Sequence, residues 1–410
     1  MIIKKYVDFI NEKMGVPDNI ITSATNLYNL ILSDFEKRSE DDTTISDMIS
    51  NGFDDEYQIN LPITIEVSDL KFNSVELQVG LLPAISLEKD KVDVISWGVS
   101  NMPDRQEKYK LYYDKTLIDK IDMRVNFAIS NDAKFSDICD YLIKDRSHTI
   151  GVLSHELKHV YDKYMFGKSF LEDIVDYQTW SNTRTGFGAI DEFIYYLYVI
   201  SKTESLVRPT EIAGELVTSD ITKSDFKEFL QQNSTYKNLI TIKNFTYDGL
   251  KKELLKDIEK VRSLFSDLTD ETDEEVVESA LDVTYRMMVG ESAEKMADIL
   301  RLGDPQLQKM RDLEMKILGM CKDTEFFKKY VSKRIFNNTD EFFLYWEKKL
   351  NFEANKVIKK IIKLYDMCKD EEVNPLMAKI SNRVDGQCIV NPKLYNELIV
   401  KPNMKYTVKK

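Results

Sequence analysis

Histidine is scarce in this 410-residue chain, with three copies, as many as tryptophan, and cysteine has four. Cys139, Cys321, Cys368 and Cys388 stand far apart. They form no CxxC pair and no dense framework, which excludes a disulfide scaffold and a cysteine-bound zinc module and leaves buried thiols in a reducing compartment. Cationic excess is also missing: 57 Lys and Arg stand against 70 Asp and Glu, a formal charge of −13. A chain that must displace counterions from nucleic acid or meet anionic headgroups needs the opposite balance, so neither nucleic acid nor a membrane is expected as a partner. No apolar run reaches the roughly 18 residues of a spanning helix. The first fifteen residues, MIIKKYVDFINEKMG, interleave charged and apolar positions, unlike a secretory signal, and the expected compartment is the cytoplasm. Internal repeats and low-complexity tracts are absent as well.

What the chain does have is a change of period along its length. Apolar residues at helical spacing (Ile2, Ile3, Tyr6, Val7, Ile10, then Leu27, Leu30, Ile31), broken by Gly15-Val16-Pro17, predict two short helices. Residues 37–60 are polar and acidic, as an exposed connection would be, so 1–60 reads as N-terminal helices and an acidic linker. Alternation follows: Ile63, Ile65, Val67; Val75, Leu77, Val79; and Ile121, Met123, Val125, Phe127, Ile129. These are strands with one buried face. Helical periodicity returns near Phe135, and beyond residue 219 it is almost continuous. There Leu254, Ile258, Val261 and Phe265 form one stripe, and Val357, Ile358, Ile361, Ile362 and Tyr365 another. The acidic run from Asp270 to Glu275 reads as a solvated loop and helix start, and Lys356, Lys359, Lys360 and Lys363 as a solvated face. The class is α+β, with divisions at 1–60, 61–218 and an α-helical region over 219–410.

Two of the three histidines fall inside His155-Glu156-Leu157-Lys158-His159, which has the form HExxH. Ser147 as N-cap, Gly167 as terminator, and Ile150, Leu153, Leu157, Val160 and Tyr164 at spacings of three and four place it on a helix. Residues four apart share a helical face about 6 Å apart along the axis, so both imidazoles can address one Zn²⁺. Glu156, beside the first ligand, can reach an attacking water without entering the coordination sphere, which is the position of a general base. His148, two turns earlier, lies roughly 10 Å away along the axis and cannot share that ion.

With no histidine left, a third ligand must be a carboxylate. Glu204 and Glu211 are the candidates. Glu204 follows Ser201 by three and precedes Arg208 by four, a first-turn position with a guanidinium to hold the carboxylate. Glu211 has Glu215 four residues on and serves as the alternative ligand or as a support behind a ligand histidine. Asp162, three residues after His159, and Arg208 are expected to support the ligands from outside the coordination sphere.

A strand at 121–129, the HELKH helix, then a second helix offering a glutamate: this order resembles the zincin metallopeptidases, in particular the gluzincin branch with its glutamate third ligand. Ser154 to Asp162 (SHELKHVYD) and Tyr198 to Arg208 (YVISKTESLVR) are similar to peptidases of tailed bacteriophages, with Tyr198, Ser201, Glu204 and Arg208 in the matching positions. Pro209 directly after Arg208 departs from a helix that continues through that motif, and this keeps Glu211 in contention. The resemblance implies a zincin-like domain over 61–218 with a small sheet packed on the HExxH helix. It implies a zinc peptidase acting on a peptide or protein, with the 121–129 strand as the edge that receives it. Tyr195, Tyr196 and Tyr198 are within the segment that could supply a donor to the oxyanion, but the spacing selects none of them, each reads first as a core tyrosine, and the role is left unfilled. It further implies a phage or host protein as partner, in the host cytoplasm or on the virion. The competing expectation is a non-enzymatic virion-associated or interaction protein with a relic or structural zinc site.

Overall fold

The computed structural model describes residues 19–40, 56–61, 65–67, 70–72, 74–83, 91–100, 120–130, 132–166, 188–263, 271–301, 303–321 and 334–369. It is an α+β protein, mostly helical with a small sheet. Helix α1 (Ile20–Arg38) buries Ile20, Ala24, Leu27, Tyr28, Ile31 and Phe35 along one face. The first of the two expected N-terminal helices lies outside the described residues. Six strands follow: β1 (Glu56–Leu61), β2 (Ile65–Val67), β3 (Leu70–Phe72), β4 (Ser74–Pro83), β5 (Val92–Ser100) and β6 (Lys120–Ile129). The end of the segment read as an acidic linker is therefore strand β1.

Strands β2 and β3 form a two-stranded ribbon, and the others a four-stranded sheet in the order β1-β4-β6-β5. The β4–β6 pair is parallel; β1 and β5 run antiparallel to their neighbours. On β4 and β6 the alternation reads as expected, since Val75, Leu77, Val79 and Leu81 on β4 and Met123, Val125, Phe127 and Ile129 on β6 are all buried; Ile63 lies outside the described residues, as do the side chains of Ile65, Val67 and Ile121. One expectation is corrected. The 121–129 strand is internal, with β4 on one side and β5 on the other, so its backbone hydrogen bonds are already used and it cannot receive a peptide. Among the described residues the outer strand on that side is β5, which packs beside the HExxH helix.

Two helices leave β6 directly: α2 (Phe135–Lys144) and α3 (Arg146–Phe166). Helix α3 starts at Arg146, so Ser147 lies within its first turn instead of capping it, and Thr149 N–H bonds back to Asp145. Gly167 lies outside the described residues. Ile150, Leu153, Leu157 and Val160 share a fully buried stripe with α1, α2 and the sheet.

A second buried cluster holds the remaining helices: α4 (Gly188–Val199), α5 (Lys202–Thr218), α6 (Phe226–Gln232), α7 (Ser234–Lys243), α8 (Tyr247–Lys256), α9 (Ile258–Arg262), α10 (Asp273–Met288), α11 (Ala293–Leu300), α12 (Asp304–Cys321) and α13 (Thr339–Ile362), with a 3₁₀ turn at Lys363–Met367. Thr272 and Glu275 form a capping box that opens α10, the helix start expected in the acidic run. Leu254 and Val261 are buried, as are Val357, Ile358, Ile361 and Ile362; Phe265 lies outside the described residues. Helices α4 and α5, placed by the sequence with the 61–218 division, share their core with the helices after 219. The HExxH helix belongs to the first cluster and the glutamate helix to the second, so the site forms where the two meet. Cys139 and Cys368 are free and buried. Among the described residues no helix is long and apolar enough to cross a membrane.

Candidate metal centre

Helices α3 and α5 run antiparallel, and all three histidines of the chain reach across from α3 to glutamates of α5. His159 Nε2 lies 3.2 Å from Glu204 Oε1, His155 Nε2 lies 3.5 Å from Glu204 Oε2, and the two Nε2 atoms are 3.1 Å apart. His155, His159 and Glu204 thus present one donor atom each to a common point, a group that can hold a metal ion. Glu156 is partly exposed on the flank of α3.

The other ring nitrogen of His155 is taken. Nδ1–H donates to Glu211 Oε2 at 3.0 Å, which fixes the tautomer that leaves the Nε2 lone pair facing His159 and Glu204. Glu211 therefore stands behind His155, outside the donor group. Arg208 bridges the two glutamates, Nη2 to Glu204 Oε2 at 2.8 Å and Nη1 to Glu211 Oε2 at 2.9 Å. Burial alone would push both carboxyls up. Arg208 and the imidazoles outweigh it and hold both well below the usual carboxylate range. One guanidinium compensates one of the two buried carboxylates, which leaves the charge of the other to be balanced by the imidazoles, whose His155 member has its pKa raised by these glutamates against burial, or by a cation.

Local sequence explains much of this. Ser201 caps α5 and accepts from Glu204 N–H, which puts Glu204 in the first turn, and Arg208 follows on the same face one turn later. Helix α5 continues through Pro209. The proline forfeits one backbone bond, and the side chains on either side of it stay on one helical face.

Other expected residues are placed differently. Asp162 is fully buried and pairs with Lys158 one turn earlier on its own helix, its Oδ2 being left without a hydrogen bond. Burial pushes this carboxyl up and the Lys158 ammonium down. The pair braces α3, and Asp162 makes no hydrogen bond to His155, His159 or Glu204 while its charge is felt at His159. His148 donates from Nδ1 to Glu215 Oε1 at 3.0 Å, and that bond pushes its pKa up to about 9. Of the three tyrosines, Tyr195 accepts from Asn238 and Tyr196 donates to Glu192. The half-buried Tyr198 lies close enough to Glu204 and Glu156 for burial and these carboxylates to push its pKa well above the ordinary tyrosine range, so it stays protonated.

Two participants carried no signal in the sequence. Thr235 Oγ1 donates to Glu211 Oε1 at 2.6 Å, and Asn233 Nδ2 donates to Glu215 Oε2 at 2.8 Å. Both lie at the start of α7, beyond the motif. Comparison with known proteins adds no name to this geometry, since no family, no curated protein and no solved structure matches the chain.

Proposed function

We propose that the protein is a zinc-dependent peptidase in which His155, His159 and Glu204 hold the ion and Glu156 is the general base. The observation that carries the reading is the donor triangle, with sides of 3.1, 3.2 and 3.5 Å. Zinc bonds of roughly 2.0–2.1 Å at tetrahedral angles require ligand atoms about 3.3 Å apart. Three donors at that spacing accept such an ion with little movement and leave a fourth position open. A structural zinc, the alternative, takes four protein donors. Among the described residues the group has three, and a glutamate placed as a base beside it serves no structural purpose.

When bound, the ion supplies Lewis acidity, polarising a scissile carbonyl and easing deprotonation of the attacking water. Glu156 takes the proton of that water and returns it to the leaving amine. Tyr198, kept protonated by burial, is the donor available to the oxyanion. Glu211 and Arg208 hold His155 and Glu204 in place throughout. Strand β5, the outer strand of the sheet among the described residues and a neighbour of α3, is the proposed receiver of an extended peptide.

The test is metal content together with cleavage of a degenerate peptide pool. Glu156→Gln should keep stoichiometric zinc and lose cleavage by about 10²–10⁴-fold. His155→Ala should lose the zinc. Cleavage that survives complete removal of metal from the wild type sinks the proposal.

A further inference from the structure

We infer that the first turn of α7 is a positioning element of the metal centre, with Thr235 orienting His155 through Glu211. The inference rests on the zinc reading above and adds residues from beyond the HExxH and glutamate helices to it. Glu211 has two carboxylate oxygens with different tasks. Oε2 receives His155 Nδ1–H and Arg208; Oε1 receives the Thr235 hydroxyl at 2.6 Å, a short, charge-assisted bond. A carboxylate held at one oxygen alone can rotate about its terminal torsion, which is a soft, roughly two-fold one. Held at both, it presents Oε2 to the imidazole in one orientation.

The same turn grips the neighbouring glutamate. Asn233 caps α7 with its Oδ1, accepting from Tyr236 N–H at 2.8 Å, while its Nδ2 donates to Glu215 Oε2 at 2.8 Å. Glu215 in turn receives His148. Two parallel relays therefore run from α7 through α5 to α3: Thr235 to Glu211 to His155, and Asn233 to Glu215 to His148. Thr235, Asn233, Glu211 and Glu215 are all buried, so water does not substitute freely for a lost donor.

The consequence is that metal affinity depends on a hydroxyl that touches neither the ion nor any ligand. Groups that hold a ligand histidine alter metal affinity by about 10–100-fold, and a group one bond further out should act at the lower end of that range. Thr235→Val keeps the shape and removes the donor, and it should weaken zinc binding about tenfold in a competition titration against a chromophoric chelator. Thr235→Ser should restore it. Thr284→Val is the control, being also buried in the helical region with its hydroxyl on the Ala280 carbonyl, and should leave affinity unchanged.

A second readout is the imidazole itself. Nitrogen-15 labelling of a chain with three histidines gives few ring signals, and the His155 Nδ1–H resonance should shift or broaden in Thr235→Val and return in Thr235→Ser. If the valine variant does not fold, Thr235→Ala against Thr235→Ser is read in the same way. Wild type that binds zinc, with Thr235→Val equal to it in both affinity and His155 signals, overturns this inference and leaves the peptidase reading standing. Wild type that binds no zinc overturns both.

Discussion

Gly151 of α3 and Gly214 of α5 face each other where the two helices cross: a β-carbon placed on Gly214 would lie 3.0 Å from the Gly151 Cα and 2.8 Å from Ser154 Oγ. A β-carbon on Gly151 would meet Glu215 Cγ at 2.5 Å and the Glu211 carbonyl at 2.9 Å. Side chains shift cheaply but backbone does not, so the missing methyls let α5 come close enough for its short-reaching glutamates to touch the α3 imidazoles. Gly214→Ala should therefore destabilise the protein. Overpacking costs about 1–3 kcal/mol, and the better helix propensity of alanine returns at most about 1 kcal/mol. Thermal unfolding reads the first effect, and a zinc titration should show weakened binding, because the donor triangle opens as the helices separate. A variant of unchanged stability and affinity would mean that the crossing has slack.

Glu204 and Glu211 should part company on mutation. Glu204→Gln removes an anionic donor from the group itself and should abolish stoichiometric zinc. Glu211→Gln leaves all three donors but loses the charged partner of His155 Nδ1, and it should weaken zinc by about 10–100-fold without abolishing it. Metal analysis of the two purified variants decides the matter; the reverse order assigns Glu211 as the ligand.

Tyr198→Phe should retain zinc and lose kcat by about 10²–10³-fold with little change in KM, as expected for a donor used chiefly in the transition state. Tyr195→Phe and Tyr196→Phe, whose hydroxyls engage Asn238 and Glu192, should stay within a few-fold of wild type. Comparable losses in all three would point to packing of α4 instead.

The His148–Glu215 pair gives a pH dependence whose sign follows from the shift. Because the folded state raises the His148 pKa to about 9 from an ordinary 6.5, folding favours the protonated ring. The stabilisation is complete below about pH 6.5 and is lost as pH rises through about 9. In metal-free buffer the wild type should lose thermal stability across that window, and His148→Gln should flatten the decline. The ring is 44 % exposed, so salt should diminish the effect. Identical pH profiles for the two proteins would refute it.

Much of the site was legible in the chain because it is helical and local. Ser201, Glu204 and Arg208 follow capping and i,i+4 rules that need no tertiary information, and the stripe Ile150, Leu153, Leu157, Val160 identifies the buried face of α3. The unread parts have specific causes. Strand β5 escaped because a bulge between Val94 and Ser96 shifts its pairing by one residue, which breaks the two-residue period midway. Strand β6 was misplaced at the edge because alternation reports one buried face and carries nothing about which strands flank it. Thr235 and Asn233 read as an ordinary cap at the start of α7, with nothing to distinguish them from the other caps.

By itself, the sequence determined that two imidazoles and a carboxylate share one stretch of helix and that acidic side chains wait on the next, since helical periodicity depends only on neighbours a turn away. Only the tertiary structure decided that Glu204 faces the imidazole Nε2 atoms while Glu211 takes Nδ1 of His155, 56 residues distant. That choice rests on how closely two helices from different buried clusters approach each other and on what holds each carboxylate from behind. No local rule encodes a distance between helices; packing sets it, here through two facing glycines and a threonine hydroxyl.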